Sequence, residues 1–282
     1  MRIFFLVFLL IMGTLGGRLR AEDKVAKVGP AKGALVIVGG GTTTAILQEF
    51  IKLAGGVDSE IVVIPTASGK SSSRDVELFE QLGATKVRIL HNNDPEVADT
   101  EGFVVPLKTA KGVWFGGGRQ WRLVDAYKNT KVEKMLWKVL DRGGVIGGSS
   151  AGASIQGSYL ARGDSKNNQI MTGDHEQGFG YLKEVAIDQH LLARNRHFDM
   201  FTILKKHPHL LGLGIDERTA IVVKGDRFQV MGLGNVAVYD GTFWSREGSE
   251  LKHLPEKAAR FYFLKAGDRY DLSQRRVIVR GE

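Results

Sequence analysis

Apolar residues in the first half of the chain fall into two alternating rhythms. Short unbroken apolar runs stand at "ALVIV" (34–38), "EIVVIP" (60–65), "KVRIL" (86–90), "GVWFGGG" (112–118) and the "VIGG" after Gly144. Between them the apolar spacing has the period of an amphipathic helix. Such segments are "GGGTTTAILQEFIKLAGG", which stops at Gly55-Gly56, "RDVELFEQLG" (74–83) and "KVEKMLWKVLDRGG" (131–144). Continuous apolar runs suit strands covered on both faces. Their alternation with helices predicts an α/β fold built on a mostly parallel central sheet with helices on both faces. From residue 219 the pattern changes. "TAIVVKGDRFQVMGLGNVAVYDG" and "ARFYFLKAGDRYDLSQRRVIV" alternate over short stretches broken by Gly-Asp turns. They predict antiparallel hairpins that finish one edge of the same domain.

The N-terminus lies outside this pattern. Arg2 is followed by an apolar run from Ile3 to Met12, then small residues, with Leu19-Arg20-Ala21 as a cleavage site. The run is too short to span a bilayer, so residues 1–21 are predicted to be a signal peptide of an exported protein, periplasmic or extracellular. Residues 22–282 are then one α/β domain, with no stable membrane association after cleavage. Removing residues 1–21 takes away Arg2, Arg18 and Arg20 and no acid, so the formal charge of +8 falls to +5. That excess weakly favours acidic ligands. No aromatic–basic interleaving marks a nucleic-acid surface. The chain has no cysteine, which excludes disulfides, thiolate metal sites and a cysteine nucleophile.

The strongest chemical signal is "GGVIGGSSAGASIQG" (143–157). Gly148-Ser149-Ser150-Ala151-Gly152 fits Gly-x-Ser-x-Gly in the order strand, sharp turn, helix. In such an elbow the central serine is held out at the carboxyl edge of the sheet, where the next amide can donate to an oxyanion. Ser150 is therefore the candidate nucleophile, and Ser149 falls on the strand side. A serine needs a base, and the histidines are His91, His175, His190, His197, His207, His209 and His253. "EVAIDQH" reads as a strand presenting Asp188, Gln189 and His190 at the same edge. "GLGIDERTAIVV" offers Asp216 and Glu217 to orient an imidazole. Gly39-Gly40-Gly41-Thr42 after the first strand matches neither a dinucleotide fingerprint nor a Walker loop and reads as a structural turn. No cofactor is implied. Asp174-His175-Glu176, within the polar stretch 163–180, is poorly spaced for one metal ion, and no metal site is assigned.

Gly-Gly-Ser-Ser-Ala-Gly-Ala, Asp-Gln-His, Gly-Leu-Gly-Ile-Asp-Glu-Arg-Thr-Ala and Phe-Gly-Gly-Gly-Arg-Gln occur in one order between about residues 33 and 240. Together they resemble the cyanophycinases and aspartyl dipeptidases, serine peptidases on a flavodoxin-like, class I glutamine amidotransferase-like fold. The resemblance implies Ser150 as nucleophile, His190 as general base and Glu217 as the orienting carboxylate. It also implies an oxyanion hole from the amides of Ala151 and of Gly117 or Gly118, and a pocket containing Gln120, Asp188 and Gln189. Cyanophycinases carry two arginines after Asp-Gln-His. Here the sequence is "LLARNRHFDM": Arg196 matches the first, Asp199 stands at the second, and Arg194 is nearby. An acid in place of a bidentate arginine changes what the pocket grips. The implied substrate is a short β-aspartyl or acidic peptide, and analogy with family members that pair admits a homodimer. Two other readings share part of the evidence: an α/β-hydrolase esterase, which would need Asp240 with His253, and a non-catalytic binding protein on the same fold.

Overall fold

The computed structural model describes residues 26–247 and 254–279. The expected leader and His253 lie outside the described residues. The predicted strands of the first half form β1 (Ala34–Val38), β2 (Glu60–Ile64), β3 (Lys86–Ile89), β4 (Gly112–Phe115) and β5 (Val145–Ser149). All are parallel, in the order β1-β5-β4-β2-β3. The predicted helices appear as α1 (Thr44–Ala54) and α2 (Arg74–Gln81), with α6 (Lys131–Asp141) further along. α1 begins where the Thr43 hydroxyl accepts from the Ile46 amide, and α6 where the Thr130 hydroxyl accepts from that of Val132. Three short helices without an apolar period long enough to read fill the gaps: α3 (Pro95–Ala98), α4 (Val105–Thr109) and α5 (Trp121–Tyr127).

The second half departs from expectation. A one-turn helix α7 (Ala151–Ser154) leads into β6 (Gly157–Tyr159) and β7 (Leu182–Gln189), then α8 (Met200–Lys206) and β8 (Leu211–Ile215). β6, β7 and β8 are mutually parallel and start a second sheet. The hairpin strands are divided between the two sheets rather than closing one edge. β9 (Thr219–Lys224) and β10 (Arg227–Gly232), with β13 (Arg269–Asp271) and β14 (Arg276–Ile278), extend the first sheet antiparallel beyond β1. β11 (Asn235–Tyr239) and β12 (Tyr262–Lys265) join the second sheet beside β8. An alternating pattern shows that a strand has one buried face but not which sheet it pairs with, which is why the sequence leaves this open. The first sheet thus runs β14-β13-β10-β9-β1-β5-β4-β2-β3 and the second β12-β11-β8-β7-β6.

Alternate residues of the first sheet face two separate cores. Val36, Val38, Val63 and Trp114 pack on α1 and Phe79 of α2. Leu35, Ile37, Val62, Phe115 and Ile146 pack on α5 and α6, and the same cluster continues into Val185, Ile187, Leu213 and Ile215 of the second sheet. The other face of that sheet is covered by Met200 and Ile203 of α8. The second sheet therefore lies against the first, with the carboxyl ends of β7 and β8 brought beside those of β1 and β5.

Phe50 of α1 is fully buried, with ring centroids 5.3 Å from Phe79 and 5.1 Å from Trp114 in a T-shaped contact. Replacing it leaves a cavity between helix and sheet, and Phe50→Ala is expected to lower stability by about 3–5 kcal/mol. Denaturant unfolding checks this: the midpoint falls while the slope stays that of the parent.

Candidate active site

Three carbonyls in a row organise the site. Val38 O accepts from the Ser150 amide at 3.0 Å, Gly39 O from the His190 amide at 2.8 Å, and Gly40 O from the Arg218 amide at 2.6 Å. The turn after β1 therefore collects the end of β5, the end of β7 and the connection from β8 to β9 at one point. All three donor residues have positive φ, at 58°, 54° and 56°. Each of these chains turns sharply as it leaves its strand.

At Ser150 the conformation is φ 58°, ψ −111°, strained for a residue with a Cβ. The turn fits only because its neighbours are small. A Cβ on Gly148 would lie 2.4 Å from Gly152 O, and one on Gly152 would lie 2.3 Å from Phe115 O. The hydroxyl thus projected donates to His190 Nε2 over 2.8 Å, and His190 Nδ1 lies 2.6 Å from Glu217 Oε1. An ionised carboxylate only accepts, so Nδ1 carries the ring proton and Nε2 is the free acceptor facing Ser150. Burial holds the His190 pKa below the ordinary 6.5, and the positive charges of Arg194 and Arg196 add to this while Glu217 opposes it. The ring is thereby kept in the neutral form that accepts a proton. Gly40 makes room for it: at φ 145°, a Cβ there would sit 2.3 Å from the imidazole Cε1. The glycine turn that reads as merely structural is a seat for the His190 ring.

Asp216, beside Glu217, fixes the approach from the other side. Its Oδ1 accepts from the amides of Leu192, Ala193 and Glu217 at 2.9–3.1 Å, tying the segment after His190 to the turn that carries Glu217. Near the serine, the Gly116 and Arg119 amides are spent on Ile64 O and Ala67 O. Those of Gly117 and Gly118 have no backbone acceptor among the described residues. A Cβ built on Gly117 would lie 3.5 Å from Ser150 Cβ, so this turn borders Ser150. With the Ala151 amide, the first of α7, it supplies free donors on the expected side.

The residues expected to line the pocket are arranged differently. Asp188 is fully buried, and both its oxygens accept from the equally buried Arg162, at 2.8 and 2.9 Å. Arg162 also donates to Asp199 Oδ2 at 2.5 Å. Arg196 is buried and its Nη1 donates to the carbonyl and Oε1 of Gln189, both at 3.0 Å. Gln120 donates from Nε2 to the carbonyls of Ala161 and Arg162. Arg194 is exposed. None of these six lines the cleft that opens on Ser150. All but the exposed Arg194 belong to a largely buried scaffold beneath Asp188-Gln189-His190, organised by Arg162, to which no sequence pattern points. The cleft itself has a volume of about 350 Å³, with Thr42, Ser68, Ser72, Asp75, Leu78 and Trp114 among its walls. Segment 163–180 does not border it. His175 there bonds Asp174 and Asp125, and no group of three His, Asp or Glu among the described residues is arranged to hold a metal.

A neutral imidazole between a strained serine hydroxyl and a carboxylate, at the carboxyl ends of parallel strands, defines the class: a serine-type hydrolase. Comparison with known proteins narrows it. A match to Peptidase family S51 spans residues 34–231. The cyanophycinase of Nostoc sp. is 32% identical over 272 residues, covering 88% of each chain. That of Geminocystis herdmanii is 30% identical over 257 residues, covering 85% of this chain and 94% of the relative. A peptidase from an acI-B1 Actinobacterium has a crystal structure that superposes with a TM-score of 0.61 at 27% identity, over 85% of this chain and 97% of that one. The chain belongs to peptidase family S51 and is a serine peptidase.

Three outcomes follow from the geometry around the imidazole. His190 titrates below 6.5 when followed by ring-proton NMR. Arg194→Ala removes a positive charge that disfavours the imidazolium, so the His190 pKa moves upward. Gly40→Ala drives a methyl group into the ring, and the Ser150–His190 hydrogen bond is lost in a crystal structure of that variant while the sheets remain assembled.

Proposed function

We propose that the chain is an exported peptidase that hydrolyses short acidic or isoaspartyl peptides, with Ser150 as nucleophile, His190 as general base and Glu217 as the group that orients it. The relay from Ser150 Oγ through His190 to Glu217, at 2.8 and 2.6 Å, carries the reading. His190 Nε2 takes the Ser150 proton as Oγ attacks the substrate carbonyl. Glu217 stabilises the imidazolium formed, and the amides of Ala151 and of Gly117 or Gly118 receive the oxyanion. The imidazolium then returns the proton to the leaving amine, and a water activated by the same ring hydrolyses the acyl-enzyme.

The substrate class is supported by the cyanophycinase relatives. The match is not carried to the second arginine, because Asp199 stands there and pairs with Arg162. Export is supported by the apolar run Ile3–Met12 behind Arg2. No described helix is long and apolar enough to cross a membrane. The esterase alternative requires Asp240 to orient a histidine. Its oxygens instead accept from the Thr242 amide and hydroxyl and from the hydroxyls of Tyr262 and Tyr270.

The test screens β-aspartyl dipeptides, α-aspartyl dipeptides, cyanophycin and simple esters, with Ser150→Ala and His190→Ala alongside the parent. Hydrolysis of β-aspartyl dipeptides is expected to exceed that of esters, and each substitution to reduce kcat by about 10³-fold or more. A Ser150→Ala protein with full activity overturns the assignment.

A further inference from the structure

Asp75 is the acid in the wall of the Ser150 cleft, and it has no partner. Its carboxylate makes no hydrogen bond and no ion pair within 4 Å among the described residues; its influences are burial, which raises its pKa, and the more distant charge of Arg74, which lowers it. The side chain leans on the glycine turn beside the nucleophile. A methyl group built on Gly116 would lie 2.9 Å from Asp75 Oδ2, and the next residue, Gly117, borders Ser150. Leu78 and Trp114 make part of the surrounding wall apolar, Ser68 and Ser72 are neutral neighbours, and Arg74 lies in the same wall without an ion pair to Asp75 within 4 Å. A half-buried carboxylate without a donor is poorly solvated, and a cationic donor brought to it recovers what burial costs.

We propose that Asp75 is a specificity-determining residue that receives a cationic nitrogen of the peptide substrate, close to the scissile bond. This rests on the reading of the cleft as a peptidase site and adds to it the residue that meets a positive charge of the substrate, Asp75. Two sources supply that chemistry, the free α-amine of the residue on the acyl side and a basic side chain next to the bond.

The experiment measures binding to the Ser150→Ala protein by calorimetry. The probes are β-aspartyl-lysine and its Nα-acetyl and Nε-acetyl derivatives. Acetylating the amine that meets Asp75 weakens binding by about 10- to 100-fold, the range of a hydrogen bond to a charged group. Which derivative is weakened identifies the source. In Asp75→Asn the discrimination falls to about one, and Asp75→Glu restores much of it. If neither acetylation weakens binding, or if Asp75→Asn still discriminates as the parent does, the proposal is overturned. Binding needs no proton relay, so the two readings fail separately. A parent that hydrolyses no peptide while its Ser150→Ala form discriminates between the amines defeats the peptidase reading alone. Hydrolysis without amine discrimination defeats this proposal alone.

Discussion

Three amide hydrogen bonds to consecutive carbonyls of Val38, Gly39 and Gly40 are the constraint on which the site depends. Ser150, His190 and Glu217 come from three segments spread over 68 residues and from two different sheets. Side-chain hydrogen bonds alone do not assemble them, since each such bond nets only about 0.5–1.5 kcal/mol. The backbone clasp fixes where each chain leaves its strand, and the side chains then fall within reach. The positive φ at all three donor residues is the local cost, of order 1–3 kcal/mol each. It is sustained because the strands behind them are buried on both faces.

The second constraint is the ion network under β7. Asp188 and Gln189 precede His190 directly, and both are held by buried guanidiniums, Arg162 on Asp188 and Arg196 on Gln189. A buried pair adds little net stability over an apolar one, but removing one partner strands a charge. Its effect here is directional. The end of β7 cannot twist without breaking several charge-assisted bonds, so the imidazole that follows starts from a rigid base. Asp199, which breaks the arginine pattern of the cyanophycinases, closes the same network by accepting from Arg162. Its acidic charge is answered within the protein, which explains how the exchange is tolerated while the relay beside it stays intact.

Much of this was readable from residues alone, and the limits have physical causes. The parallel strands of the first half follow from unbroken apolar runs, and the elbow from glycines flanking a serine after such a run. His190 and the pair Asp216-Glu217 stood out because each follows a short apolar stretch, which in an α/β fold places it at the carboxyl edge; the choice of Glu217 over Asp216 came from the family resemblance. The division of the hairpins between two sheets was not legible, because alternation encodes a buried face and not a pairing partner. Nor was the role of Arg162, a lone basic residue whose partners lie 26 and 37 positions away. The motif names Gln120, Asp188, Gln189 and Arg196 as pocket residues; the fold shows that their side chains are bonded within the protein, next to Arg162 and Asp199, while Arg194 is exposed.

The balance at His190 depends on a carboxylate that is half exposed. Glu217 has 41% of its side chain accessible and His190 only 11%. Solvent therefore weakens the field of Glu217, and burial with the two arginines outweighs it in the resting protein, keeping the ring neutral. In the proposed reaction the charge on the ring appears only as the serine attacks. The Nδ1–H bond to Glu217, already charge-assisted through the carboxylate, strengthens at that moment because the ring becomes cationic and the contact becomes an ion pair. An interaction that is modest before proton transfer and larger during it lowers the barrier rather than merely stabilising the resting state.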